Sequence, residues 1–323
     1  MKNARSIPGI ADGINRTLER LMPVFTPLGV VLAVFFPSVF LRLKPHIPII
    51  FCIITLSGSL KLKAGDLGHT LRHPLPLLAF FLSGRVAAPL LALLISSLVF
   101  PGDVDTVSGY VLLYAAPTAV TGFIWCSIFS GDTALTLTFI LLDTILAPLI
   151  VPVTIRVLLG AKINLDMYSM AFSLVYMIVI PTVIGIASNE ISRGLAPRLL
   201  LPYFSPLSKL CVILVVSANA AAVAPQIDLK NSRVWIVSAV CVVLSIMGFL
   251  TGKLAGLIGR FDRGKQISLF FGAGLHNTTA AMTLGISFFP PGASLPSVIG
   301  IMFQQTVCAV MGRLFYPKQK EEK

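Results

Sequence analysis

The chain has 323 residues, of which 56% are hydrophobic and only 12% are charged, and its mean hydropathy is +0.90. A soluble protein carries about a quarter charged residues, so most of this surface is not built to face water. The formal charge of +12 is accounted for by the Lys and Arg that gather in the cytoplasmic loops of membrane proteins. We therefore predict a protein that crosses the lipid bilayer, with no nucleic-acid partner.

Apolar runs long enough to cross a bilayer recur along the chain. A helical crossing needs roughly 20 apolar residues, and backbone groups in hydrocarbon must pair within the protein. Runs such as Leu146–Val151 do not alternate as the strand of a transmembrane barrel would. We predict an all-α membrane protein with about ten spans, at 22–41, 46–60, 74–100, 107–130, 133–158, 166–187, 203–224, 233–259, 265–289 and 293–315.

The distribution of basic residues predicts an orientation. Most of the 25 Lys and Arg residues fall in the N-terminus, in the loops after even-numbered spans and in the C-terminus. This bias predicts a multi-pass protein of the inner (plasma) membrane with both termini in the cytoplasm. The five cysteines stand singly in apolar runs, so we expect neither a disulfide framework nor a zinc site. No cofactor is predicted.

Two of the predicted spans contain residues that interrupt helices. The fourth span contains Ala116–Gly122, where Pro117 lacks a backbone donor and clashes one turn back. The ninth contains Gly272–Thr279, with two glycines followed by polar residues. A single interruption is usually a kink. Interruptions in the fourth of five spans of each half instead indicate two inverted five-helix repeats, 1–160 and 161–323, with a binding site near the membrane midplane.

The residues around both interruptions resemble the bile acid:sodium symporter family. The family stretch P-G-G-x-x-S-N … G-D-x-A-L-S … L-x-P is similar to Pro117–Pro148, and its E-x-G-x-Q-N motif is similar to Gly272–Asn277. The resemblance covers 46–150 and 265–315. It implies a bacterial-type member and a secondary transporter that works by alternating access. It also implies a panel of spans 1, 2, 6 and 7 and a core of spans 3, 4, 5, 8, 9 and 10, in which the two broken helices cross.

The resemblance implies two sodium sites, but most of their side-chain oxygens are missing. The corresponding positions hold Gly84, Gly122, Phe123, Thr136, Ile140, Gly272 and His276. In the first site only Thr136 keeps a side-chain oxygen, and we retain it as a weak metal candidate. Because sodium, like other hard cations, needs several oxygen ligands, we interpret these sites as degenerate. Transport is therefore predicted to lack sodium coupling, with proton coupling or no coupling as the alternatives.

Two charged residues fall inside predicted spans, Arg85 in the third and Asp143 in the fifth. An ionised side chain at the bilayer centre costs about 2.5–3.5 kcal/mol even on the lenient insertion scale, so we expect the two to pair. Either Arg85 supplies a fixed positive charge where sodium would sit, or the pair is purely structural. His276 is a candidate proton carrier, and a neutral hydrogen-bonding histidine is the alternative.

Polar residues near the interruptions are the candidate solute contacts. They are Thr118, Thr121, Asn277, Thr278, Thr279 and Gln305. Arg85 and the N-termini of two half-helices favour a small organic anion as the solute. Interhelical hydrogen bonding is the alternative role for Gln305, which stands in an apolar run. The predicted partners are this solute and the lipid bilayer, and a monomer is compatible with the sequence.

Two other function classes compete with a carrier. A passive channel or facilitator would fit a chain that has lost its ion ligands. A membrane-embedded enzyme is the second alternative, but the sequence contains no H-E-x-x-H, no G-x-x-x-x-G-K-[ST] and no G-x-G-D. We therefore predict that the chain is not an enzyme.

Overall fold

The computed structural model describes residues 28–60, 62, 74–160, 166–226 and 230–317, together with Asn15, Thr17, Leu18, Leu21 and Phe25. Within these residues the regular structure is helical, and the one extended pairing is an isolated antiparallel bridge. The predicted all-α class is confirmed. The predictions for both termini and for most of the loop between the second and third spans lie outside the described residues.

The helices are numbered in chain order. They are α1 (28–35), α2 (Pro37–Leu41), α3 (Ile47–Ser59), α4 (Pro74–Val99), α5 (Val104–Ala115), α6 (Thr121–Ile128), α7 (Thr133–Leu159), α8 (Met167–Ile191), α9 (Leu195–Val223), α10 (Ser232–Ile258), α11 (Arg263–Gly274), α12 (Thr278–Phe288) and α13 (Leu295–Phe315). Short 3₁₀ turns occupy Lys44–His46, Ala224–Gln226 and Pro291–Ser294, and π-helical segments occupy Phe81–Ala87 in α4 and Val175–Val179 in α8.

Seven helical stretches of the described chain are long and apolar enough to cross a membrane, so the protein is a multi-pass membrane protein. The interrupted helices are not among the seven because each of their halves is short. Helix α9 begins at Leu195, earlier than the predicted span 203–224, because it continues beyond the apolar run and through Pro202 and Pro206. The total of ten spans and the inverted repeat remain predictions.

The described residues form two compact units. One comprises those of 1–64 and 172–225, and the other comprises those of 65–171 and 226–323. In the first unit, Ser59 Oγ donates to Thr182 Oγ1 at 3.2 Å and Asn189 Nδ2 donates to the carbonyl of Leu62 at 2.9 Å. The second unit contains both interrupted helices and all of the candidate site residues.

The first interruption separates α5 from α6. Helix α5 begins at the cap of Asp103, whose side chain accepts from the Thr106 amide at 3.1 Å. It ends because Pro117 has no N–H and disfavours a helical conformation in the residue before it. Ala116 accordingly adopts φ −59° and ψ 147°, and the chain becomes helical again at Thr121.

The second interruption separates α11 from α12. Helix α11 ends as Leu275 becomes extended, at φ −110° and ψ 112°. Asn277 then caps α12, since its side chain accepts from the Ala280 amide at 3.0 Å. Both interruptions predicted from the sequence are therefore complete breaks rather than kinks.

Candidate functional site

The two helix breaks pair with each other through their backbones. The Ala119 amide donates to the Leu275 carbonyl at 3.0 Å, and the Asn277 amide donates to the Pro117 carbonyl at 2.7 Å. Between these bonds Thr118 and His276 form the antiparallel bridge. Backbone groups released from two helices inside a membrane must find partners, and here several of them find each other. The two broken helices are consequently joined at their breaks.

Arg85 extends from the π-helical segment of α4 to the first break. Its side chain is almost fully buried, with 4% of the residue exposed. Nη2 donates to Thr118 Oγ1 at 2.8 Å, and Nη1 donates to the carbonyls of Ala115, at 3.4 Å, and of Ala116. The guanidinium carbon also lies 5.9 Å from the centre of the Phe80 ring. A cation is thus placed at the C-terminal, negative end of the α5 dipole.

Asp143 of α7 lies on the other side of the guanidinium and is 1% exposed. Its Oδ1 is 3.1 Å from Arg85 Nε, close enough for an ion pair, although this N–H is not aligned for a hydrogen bond. Its Oδ2 accepts from the backbone amide of Thr118 at 2.6 Å. The pairing predicted from two isolated charges is present, and the two charges compensate each other within the protein.

Thr118 joins both breaks and the ion pair. Its hydroxyl accepts from Arg85 and donates to the Gly272 carbonyl of α11 at 3.1 Å, while its amide binds Asp143. The residue is 2% exposed. Its hydroxyl and its amide are therefore engaged within the protein, and the residue lies behind the accessible surface as a structural link.

His276 lies in the second break and is 3% exposed. Its Nδ1 is 3.4 Å from the Ala116 carbonyl, an acceptor, so we assign the proton to Nδ1. The ring packs edge-on against Tyr114, with ring centres 4.8 Å apart. The remaining nitrogen, Nε2, is buried without a hydrogen-bond partner.

A small cavity adjoins His276. It is lined by Leu113, Tyr114, Ser245, Gly274, His276, Thr278, Gly300 and Gln304. It offers about 10 Å³ to the centre of a water molecule, roughly the room that one buried water requires. Two of the lining residues are hydrogen-bonded to each other, since Gln304 Nε2 donates to the His276 carbonyl at 2.9 Å.

The accessible polar groups of the site lie on α6 and α13. Trp125 Nε1 donates to Gln305 Oε1 at 2.8 Å, and Gln305 Nε2 lies 3.5 Å from Thr121 Oγ1. Gln305 is exposed, and Thr121 and Trp125 are half-buried. Of the other predicted contacts, Asn277 is half-buried, and its side chain caps α12 by accepting from the Ala280 amide. Thr278 and Thr279 are buried.

The positions that correspond to sodium ligands offer little to a cation. Thr136 is buried, and its hydroxyl donates to the Asp132 carbonyl at 3.0 Å and lies 3.1 Å from Cys126 Sγ. A Cβ atom placed on Gly272 would come within 3.1 Å of the Phe139 ring and 3.3 Å of the Phe80 ring. Among the described residues, no cluster of His, Cys, Asp or Glu could hold a metal ion.

Sequence reasoning left Trp125, Gln304, Tyr114 and Ser245 out of the predicted site. The first two had a usable signal, since an indole N–H and an amide inside apolar runs both need partners. Tyr114 and Ser245 reach the cavity through helix packing, and their hydroxyls are 3.4 Å apart. Nothing in their sequence context distinguishes them from other buried residues.

The chain is similar to a known family of membrane proteins. The profile of the Sodium Bile acid symporter family matches residues 48–228, more than half of the chain. The chain belongs to this family. The uncharacterized protein YbaS of Bacillus subtilis is 34% identical over 291 residues, which cover 90% of this chain and 95% of that relative.

Relatives of lower identity to this chain are named as transporters. The uncharacterized sodium-dependent transporter YocS of Bacillus subtilis is 23% identical over 296 residues, covering 90% of this chain and 89% of the relative. The probable chloroplastic sodium/metabolite cotransporter BASS1 of Arabidopsis thaliana is 23% identical over 315 residues, covering 96% and 77%. The family is one of transporters, so the chain is a membrane transporter and not an enzyme, and the family resemblance predicted from the sequence is confirmed.

Proposed function

We propose that the chain is a secondary transporter of a small organic anion that works by alternating access without sodium coupling. The absence of sodium coupling is proposed from the packing beside Gly272. The rings of Phe80 and Phe139 stack there with centres 4.4 Å apart, in the space that a carboxylate ligand at this position would need. With Phe123 and Ile140 also lacking oxygen, a sodium ion would find too few ligands.

The proposed solute is small and anionic because of the groups around the start of α6. This helix has no side-chain cap at its N-terminus, where the partial positive charge of a helix favours anions. Thr121 and Gln305 add a hydroxyl and an amide on the accessible side. The charge of Arg85 is compensated by Asp143, so we assign Arg85 the role of a fixed internal cation rather than a solute contact.

One observation favours a second candidate function, in which the same transporter is coupled to protons. His276 Nε2 has no hydrogen-bond partner and the histidine lines a cavity with room for one water. A proton that reached this cavity would meet a free acceptor. The arrangement supports His276 as the coupling residue if uptake proves to depend on a pH gradient.

The wider plan of the transporter is also proposed. We infer ten spans arranged as inverted repeats over 1–160 and 161–323. The protein would lie in the plasma membrane with both of its termini in the cytoplasm. Broken helices at the fourth position of each half support the repeat, and the Lys and Arg bias supports the orientation. Reporter fusions at each terminus, active only in the cytoplasm or only outside, test the orientation.

Uptake by reconstituted protein tests the function. A thermal-shift screen of short mono- and dicarboxylates would first identify a ligand, since binding to the native state raises the melting temperature. The labelled ligand is then offered to proteoliposomes under sodium, potassium or pH gradients. We expect saturable uptake with counterflow and no response to sodium. Uptake driven by a sodium gradient, or a strong sodium effect on melting, would overturn the proposal.

A further inference from the structure

The guanidinium of Arg85 is surrounded by oxygen atoms. Four of them contact it: the carbonyls of Ala115 and Ala116, the hydroxyl of Thr118 at 2.8 Å, and Oδ1 of Asp143 at 3.1 Å. These atoms come from the first helix break and from α7, and they lie around the rim of the guanidinium, beside Nη1, Nη2 and Nε. We call this set of four oxygens the cage. They do not coincide with the residues that the family resemblance assigns to sodium.

Each oxygen of this cage keeps a lone pair for a cation, although the Ala116 carbonyl also accepts from His276 Nδ1 at 3.4 Å. The carbonyls of Ala115 and Ala116 lie at the end of α5, where the last carbonyls of a helix lack intrahelical partners. The Thr118 hydroxyl gives its proton to the Gly272 carbonyl, so its lone pairs face the guanidinium. The second oxygen of Asp143 is already satisfied by the Thr118 amide, which holds the carboxylate in place.

The charge of the cage suits one monovalent cation. Asp143 contributes a single negative charge, and the end of the α5 dipole adds partial negative charge. All four atoms are hard oxygens, the ligand type that hard cations bind. The fit to a guanidinium is incomplete, since the buried Nε of Arg85 makes no hydrogen bond although it lies beside Asp143. At Nε the contact with Asp143 is therefore one of charge alone, while Nη1 and Nη2 add hydrogen bonds.

We propose that Arg85 is a tethered occupant of a monovalent cation site, and that this site binds a free sodium ion once the guanidinium is removed. In the wild-type protein the site is permanently filled from within. The break between α5 and α6 then keeps its cation in every step of transport, whichever ions are present on the two sides of the membrane. Water molecules entering the space vacated by the side chain would complete the coordination of a sodium ion.

Two variants of the full-length protein test this inference. Arg85→Ala opens the cage and leaves Asp143 as an uncompensated buried charge, whereas Arg85→Ala combined with Asp143→Asn opens it without that charge. Each is melted in sodium chloride and in N-methyl-D-glucamine chloride at equal ionic strength, because the second cation is too large for the cage. Binding of radioactive sodium is measured in parallel.

We expect a sodium response from the single variant only. Its melting temperature should rise by an equal increment for each tenfold increase in sodium above the dissociation constant, and it should bind one sodium ion per chain. The wild type and the double variant should melt identically in both salts. Guanidinium ion at low millimolar concentration is a positive control, since it replaces the lost group itself.

Several outcomes would overturn the inference. They are equal melting of Arg85→Ala in both salts, stabilisation by guanidinium but not by sodium, or recovery of folded protein from the double variant but never from the single one. Failure of both variants to fold would show that the guanidinium hydrogen bonds, and not its charge, are required. None of these results tests the proposed transport without sodium coupling, which concerns uptake by the wild type. Sodium-driven uptake by the wild type would contradict that proposed function and would leave the inference about Arg85 unchanged.

Discussion

Thr118 and His276 lie opposite each other where the two helix breaks meet, and they form an antiparallel bridge. Each break supplies the backbone partners that the other lacks, through the bonds of Ala119 to Leu275 and of Asn277 to Pro117. Neither break could close into a continuous helix without leaving the other's polar groups unpaired in a buried site, which is costly. The two breaks are therefore expected to persist together.

The buried ion pair should be far more sensitive to substitution than an exposed carboxylate. Asp143→Asn leaves Arg85 as an unpaired buried charge, so we expect a loss of about 3–5 kcal/mol in the free energy of unfolding. Asp166→Asn is the matched control, because Asp166 is an exposed cap whose Oδ1 accepts from the Ser169 amide, and Asn caps helices equally well. Thermal melting in detergent measures both. Equal melting of the two variants would contradict the pairing.

Restoring the acidic residue that the family resemblance places at position 272 should not restore a sodium site. Gly272→Glu forces a side chain between the rings of Phe80 and Phe139, and overpacking of this kind costs about 1–3 kcal/mol before the buried charge is considered. We expect poor folding and no stabilisation by sodium. Gly122→Ala is the control, since a Cβ atom there would lie 3.7 Å from its nearest neighbour and Ala favours a helix by roughly 0.5–1 kcal/mol over Gly. A well-folded Gly272→Glu variant that sodium stabilises would contradict this account.

The parts of the site that the sequence predicts are those set by local chemistry. Pro117 ends a helix wherever it stands, so the first break was predictable. Arg85 and Asp143 are rare charges in apolar spans, and the expense of burying either one alone predicted that they pair.

Other features depend on how the helices pack and could not be read from the chain. The carbonyls of Ala115 and Ala116 bind Arg85 only because α4 passes beside the first break. The position of Thr118 behind the accessible surface has the same origin, and so does the hydrogen bond of Trp125 to Gln305, which joins residues far apart in sequence. Periodicity identifies apolar faces but carries no information on which faces meet.

Adjacent glutamines on α13 should behave oppositely. Gln304→Leu leaves the His276 carbonyl without the donor it now has at 2.9 Å, and an unsatisfied buried acceptor costs about 1–3 kcal/mol. Gln305→Leu changes an exposed side chain, so its effect on stability should stay within about 0.5 kcal/mol, while the KM for the solute should rise. Melting and uptake measured on both variants separate these effects. Equal losses of stability would show that the two side chains are not divided between the interior and the solute face.

The indole of Trp125 should report solute binding directly. The chain contains two tryptophans, and Trp235 is 60% exposed, so Trp235→Phe keeps an aromatic ring there and leaves Trp125 as the single tryptophan. A solute that contacts Gln305 or Thr121 would disturb the hydrogen bond of 2.8 Å between Trp125 Nε1 and Gln305. We expect a saturable change in emission whose midpoint matches the KM for uptake.

The reciprocal variant supplies the control for this measurement. Trp125→Phe keeps an aromatic ring beside Phe129 and Phe271, on which the indole now stacks, but it removes the N–H donor to Gln305. Its remaining tryptophan should show no change with solute, and its KM should rise while the melting temperature changes little. If Trp235 responds to the solute and Trp125 does not, the solute binds elsewhere, and the polar groups of α6 and α13 serve only to join the two helices.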